Sequence, residues 1–308
     1  MSPRPLYRTR DFFLVFREGG VHLKECKLGF LGPQGTHSEE VALFLQKESP
    51  QITWKLKPFQ SIYDAICAVD NHEVDKVIVP VENSIEGAIN ITLDTLAHDV
   101  DLQIEREIAW MVHNQLMAKD PNEKITTIIS HAQPLAQCRT YIKEHYQDVE
   151  IRQVSSTARA AEIVASGVKG YAAICPKRAG DIYHLTTIAT EIQDNNTNCT
   201  RFILLKKRQN NLISGGAKTS IICQINGAKS GSLCEVLLAF AKYEVNLTRI
   251  ESRPARTGLG EYIFFLDMEG SGQDKNVQGA LAEVQKKSLW MKNLGSFKGI
   301  KIDQKINN

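Results

Sequence analysis

The chain has 308 residues, room for about two domains of ordinary size, and its apolar fraction of 43% lets each bury a core. The formal charge is +2, and the basic residues are scattered rather than interleaved with aromatics, which argues against a nucleic-acid or anionic-membrane partner. No apolar run approaches the roughly 18 residues of a membrane span. The run Phe12–Phe16 falls short of the roughly 7–15 residues of a signal segment, so residues 1–26 read as an N-terminal extension and the chain as cytoplasmic. Seven cysteines without CxxC spacing read as reduced thiols, and eight histidines without an HExxH pattern give no metal site.

From residue 27 onward, strand and helix patterns alternate. Lys27–Leu31 is a short strand running into Gly32-Pro33-Gln34-Gly35, and 38–46 reads as a helix. Ser61 caps a second helix, with Asp64 completing a capping box and Ile62, Ala65, Ile66 and Val69 on one face. Lys76–Val81 is a buried-type strand, and a helix through Ile89, Leu93 and Leu96 follows it. Next come a long strand at 102–112, a strand at 125–130 and a helix at about 135–145. A strand at 149–154, a helix at 157–165 and strands at 171–174 and 201–206 complete the region. This order predicts an α/β domain with largely parallel sheets, in two lobes with a cleft. The polar, turn-rich stretch 208–217 reads as a linker. The unit after it, 218–305, has the βαββαβ order of a ferredoxin-like domain.

Four polar segments sit at expected strand ends, where open sheets hold ligands. Gly32–Ser38 combines a glycine turn with a helix start, and either holds an anion or simply caps the helix. Glu82-Asn83-Ser84 is more polar than a turn requires. Ser155-Ser156-Thr157 offers three hydroxyls where one cap suffices. Asn198–Phe202 carries Arg201, which either clamps a carboxylate or pairs with Glu191 or Asp194.

Taken together, the segments 32–38, 80–87, 130–138, 156–161 and 198–202, in this order, resemble prephenate dehydratase, and the resemblance covers nearly everything after residue 26. The C-terminal unit resembles an ACT domain of the phenylalanine-binding kind, through Gly231-Ser232-Leu233-Cys234 and Glu251-Ser252-Arg253-Pro254. The chain departs from the family at His37, where an aromatic is usual, at Ala132, where proline is usual, and at Ser232 and Cys234.

The resemblance implies a two-lobed, periplasmic-binding-protein-like catalytic domain (27–207) joined to an ACT regulatory domain, with prephenate as substrate and neither metal nor cofactor. It implies Thr200 as donor to the departing hydroxyl, with Asn83 and Ser84 orienting the substrate. Thr36, Glu82, Ser156, Thr157 and Arg201 would form the rest of the substrate site, and His131 is expected to be structural rather than the base. Phenylalanine would bind as an allosteric inhibitor through Gly231, Leu233, Asn246, Glu251, Ser252 and Arg253, between subunits of a homodimer or homotetramer. An arogenate dehydratase, a non-aromatising prephenate decarboxylase and a non-catalytic small-molecule sensor are the competing readings.

Overall fold

The computed structural model describes residues 24–209 and 216–303. The first lobe contains β1 (Lys24–Leu31), α1 (His37–Glu48), β2 (Ile52–Phe59), α2 (Ile62–Asp70), β3 (Lys76–Asn83), β4 (Gly87–Ala88), α3 (Asn90–His98) and β5 (Leu102–Met111). The second contains β6 (Gln115–Ala118), β7 (Thr127–Ser130), α4 (Ala132–Gln137), α5 (Arg139–His145), β8 (Glu150–Gln153), α6 (Thr157–Ala165), β9 (Tyr171–Cys175), α7 (Lys177–Ile182) and β10 (Thr186–Ala189). The chain then returns to the first lobe as β11 (Cys199–Lys207). Apart from Lys24–Cys26, which open β1, the expected N-terminal extension lies outside the described residues.

The sheets are mixed, which corrects the expectation of largely parallel ones. β1 pairs in parallel with β2 and β3, whereas the returning β11 inserts antiparallel between β3 and β5. In the second lobe β7 is parallel to β8 and β9, but β6 runs antiparallel to β9 and β10. The reason is the path of the chain, which crosses between lobes twice. The crossings run side by side: Val112 N–H donates to the Asn198 carbonyl at 2.9 Å and Ile192 N–H to that of Asn114 at 3.1 Å. The expected helix at about 135–145 is broken at Cys138 into α4 and α5.

The C-terminal unit contains β12 (Lys218–Gln224), α8 (Ser232–Lys242), β13 (Leu247–Pro254), β14 (Tyr262–Glu269), α9 (Lys275–Lys287) and β15 (Trp290–Ile302). Its strand order β13-β14-β12-β15 is antiparallel throughout and ferredoxin-like. β15 is long enough to serve two sheets. Its first part pairs with β12, and Lys298–Ile302 pairs in parallel with β5. The C-terminal sheet therefore continues into that of the first lobe. One face of it packs under α8 and α9. The other face contributes Ile222, Ile263, Phe265, Leu294 and Phe297 to the apolar cluster that also holds α2, α3 and β3. The stretch 208–217, expected as an interdomain linker, lies between β11 and β12, and the two domains share a core. Of that stretch, 210–215 lies outside the described residues.

Burial pushes the Cys138 and Cys175 thiols up to about 12 and Cys223 to about 11, whereas Cys234 on α8 is exposed. Alkylation of the native protein at about pH 8 should label Cys234 and spare Cys138 and Cys175, because the thiolate is the reactive form. Peptide mapping checks this; labelling of Cys175 as fast as Cys234 would contradict the packing.

Candidate active site

Between the lobes lies a cleft of about 740 Å³, lined from the first lobe by Thr36, His37, Asn83, Thr200 and Phe202 and from the second by His131, Gln137, Ser156, Thr157 and Arg159. Asn83 and Thr200 stand opposite each other on β3 and β11. The Asn83 carboxamide is buried and fully engaged. Its Oδ1 accepts from the backbone N–H of Ile85 (2.9 Å) and Glu86 (3.1 Å), which shapes the loop after β3. Its Nδ2 donates to Asn198 Oδ1 (2.9 Å) and to Thr200 Oγ1 (3.0 Å). Thr200 thus receives a hydrogen bond on its oxygen, which leaves its own O–H free to donate into the cleft. Asn198 Nδ2 donates in turn to Gln137 Oε1 at 2.9 Å, so one amide chain runs from β3 across to the second lobe.

The facing wall is the start of α6. Ser156 is its N-cap, accepting from Arg159 N–H at 3.0 Å, and Thr157 begins the helix. Free N–H groups and the positive helix end meet there, a suitable place for a carboxylate. Thr36 caps α1 in the same manner, and its hydroxyl is also within donating distance of the carbonyls of Leu31 and Pro33. Its contribution to the cleft is therefore a rigid turn rather than a spare hydroxyl. Gly35 needs its positive φ of 86° here, and a Cβ would come within 3.1 Å of Ala179 in the second lobe. His37 lines the cleft and contacts Glu40 at 2.8 Å. His131 accepts from Gln133 N–H as the cap of α4.

Three expected site residues are not brought into the cleft. The Ser84 hydroxyl accepts from Cys199 N–H at 2.9 Å and reaches the Thr197 carbonyl at 3.3 Å, which ties the Glu-Asn-Ser loop to the return crossing. Glu82 and Arg201 lie on the opposite face of the sheet, because side chains alternate along a strand. A β-bulge sets the register: Arg201 pairs with Glu82 but Phe202 pairs with Pro80, so Val81 is the extra residue. Val81 and Glu82 thereby both face the C-terminal domain while Pro80 and Asn83 face the cleft. Arg201 Nη1 contacts Glu107 (3.2 Å) and Asp267 (2.9 Å), and Nη2 contacts Glu82 (2.8 Å). It is neither a clamp in the cleft nor paired with Glu191 or Asp194.

Arg159 was not singled out in the sequence. Among the cleft-lining residues it is the one arginine or lysine, held by Glu162 at 2.7 Å. Its presence in the run Ser-Thr-Ala-Arg-Ala-Ala beside the expected anion site was the available signal.

The residues expected to bind phenylalanine are also divided. Gly231 is the left-handed N-cap of α8, with open space around it. Asn246 follows the far end of that helix, which at eleven residues is about 16 Å long, so one chain does not bring the two together. Along β13, Ser252 pairs with Phe264 on the helix-covered face, whereas Glu251 and Arg253 pair with Phe265 and Ile263 on the face toward the catalytic lobe. There Arg253 makes a two-pronged contact with Asp94 of α3, 2.9 Å at each oxygen. The hydrogen bonds and charge of Arg253, helped by Arg256, hold the Asp94 carboxyl below its usual range against the opposing effect of burial. The lowered pKa means that the contact adds stability above the ordinary Asp value of about 4 and loses it as pH falls through the lowered folded value. Asp94→Asn should therefore be less stable than wild type at neutral pH, with a gap that closes on acidification below about pH 4. Denaturant titration across pH checks this; a constant gap would contradict it.

The prephenate dehydratase family profile matches residues 28–210. A prephenate dehydratase from Methanocaldococcus jannaschii is 39% identical over 268 residues, covering 86% of this chain and 95% of that protein. A bifunctional chorismate mutase/prephenate dehydratase from Aquifex aeolicus is 36% identical over 275 residues, covering 89% of this chain and 74% of the relative. The crystal structure of prephenate dehydratase from Arthrobacter aurescens in complex with L-phenylalanine superposes with a TM-score of 0.80 at 35% identity, covering 88% of this chain and 90% of that one. The paired Asn83 and Thr200 of the cleft thus stand in a chain that belongs to the prephenate dehydratase family.

Proposed function

We propose that the chain converts prephenate to phenylpyruvate by decarboxylating dehydration, under feedback inhibition by phenylalanine. The observation that carries this reading is the Asn83–Thr200 hydrogen bond, which fixes a hydroxyl with its proton available in the cleft. In the reaction the bond from the ring to its carboxylate breaks and carbon dioxide departs. The electron pair left behind completes the aromatic ring and expels the hydroxyl at the opposite carbon. Aromatisation supplies the driving force, and the chemistry asks for no metal, cofactor or nucleophile. It does need a hydrogen bond to the departing oxygen, and Thr200 Oγ supplies it.

The start of α6, with Ser156, Thr157 and Arg159, would hold the side-arm carboxylate. The carboxylate that leaves would lie against Pro80, Ile89 and Phe202, apolar cleft residues that suit a group losing its charge.

Phenylalanine would bind at the C-terminal domain. Since Gly231 and Asn246 are far apart within one chain, a shared ligand site there requires two copies side by side. The edge position of β13 and the exposed Ile250 and Leu238 support such pairing, as a homodimer or within a homotetramer. The absence of a disulfide among the described residues fits a reducing, cytoplasmic setting. The experiment is turnover of prephenate and arogenate side by side, with phenylalanine titrated and mass measured by sedimentation. Prephenate should be preferred, with phenylalanine slowing it; preference for arogenate would move the chain to the rival activity.

A further inference from the structure

Behind the catalytic strands lies a charged cluster that the cleft chemistry does not use. Its centre is Arg201, the residue after Thr200, whose side chain is 16% exposed. Its carboxylate partners are Glu82 of β3, Glu107 of β5 and Asp267 of β14. Burial works against the charge on Arg201, but Asp267, Glu107 and Glu82 together hold its pKa above the usual value.

The three carboxylates are not equivalent. Glu82 is shared with Arg249 at 3.3 Å, and Glu107 with Lys218 at 2.7 Å. Asp267 has no second cation within ion-pair distance among the described residues, and its other oxygen accepts from Ser220 Oγ at 2.6 Å. It is also the one carboxylate of the three that comes from the C-terminal domain. The β-bulge between β11 and β3 falls between Arg201 and Phe202, so the ladder to β3 changes register one residue beyond Thr200. The pairing to β5 runs unbroken through the same residues, and the side-chain contacts to Arg201 add an anchor on the face of β11 away from the cleft.

We propose that Asp267 is a positioning residue for the dehydratase reaction, holding Arg201 so that Thr200, on the other face of β11, keeps its donor geometry toward the cleft. The C-terminal domain then completes the reaction centre from behind. This rests on the reading of Thr200 as the donor. A misplaced catalytic group loses rate rather than substrate affinity.

The test is steady-state prephenate turnover of the full chain in four forms: wild type, Asp267→Asn, Thr200→Ala and the double variant. Asp267→Asn should lower kcat roughly tenfold with KM changed by less than about twofold. On the Thr200→Ala background the same substitution should cost less than about twofold, because the group it positions is gone. An equal loss on both backgrounds, or Asp267→Asn with wild-type kcat, would overturn the inference. Thr200→Ala with near-wild-type kcat would instead remove the donor reading on which the inference rests. If Asp267→Asn does not fold, Ser220→Ala replaces it: it frees one Asp267 oxygen and should give a smaller kcat loss that likewise vanishes on the Thr200→Ala background.

Discussion

Thr200→Ala should lower kcat for prephenate by about 10²–10³, the usual cost of removing one preorganised donor at a departing or developing oxyanion. KM should move little, since the lost hydrogen bond matters chiefly as the C–O bond breaks. The fold should hardly notice. Asn83 Nδ2 keeps its bond to Asn198 at 2.9 Å, so no buried amide is orphaned, and the strand pairing to β3 and β5 does not depend on the hydroxyl. Thr200→Ser keeps the donor and should retain most of the rate. A Thr200→Ala enzyme within a fewfold of wild type would take Thr200 out of the chemistry.

The second large effect concerns stability. Phe265→Ala should destabilise the chain by about 3–5 kcal/mol, the usual range for a fully buried aromatic. Phe265 is 1% exposed and sits in the cluster that joins the C-terminal sheet to α2, α3 and β3. The loss should therefore fall on both domains at once. Trp54 and Trp110 report on the first lobe, and Trp290 on the C-terminal domain. Single-tryptophan versions unfolded in urea should show one common midpoint, shifted down together by the substitution. A shift at Trp290 alone would mean that the domains unfold separately and that the shared core contributes little.

Local chemistry made much of this legible in the sequence. Ser61 with Asp64 and Ser156 with the apolar stripe after it mark α2 and α6 at their starts, because capping and helical periodicity are short-range. β2 was missed: its lysines and Pro58 break the apolar pattern, since this edge strand buries only Trp54. The short β6, β10 and α7 were missed because four to six residues carry too little periodicity.

The site shows the same division. Asn83 and Thr200 stood in the expected motifs, and the fold brings them together. Their neighbours Glu82 and Arg201 stood in the same motifs, but strand alternation and the bulge at Val81 decide which side they face. The anions that hold Arg201 come from β3, β5 and β14, and nothing local to residue 201 announces Asp267. For the same reason nothing local to Arg253 announces its contact with Asp94 of α3.

Aromatisation of prephenate in the cleft has a direct readout. Purified full-length protein incubated with prephenate should release carbon dioxide and form phenylpyruvate, one for one, as read by gas trapping and by the ultraviolet spectrum of the aromatic product. Carbon dioxide without an aromatic product would show a decarboxylase on the same scaffold, and unchanged prephenate would show no catalysis at all; either result would contradict the account.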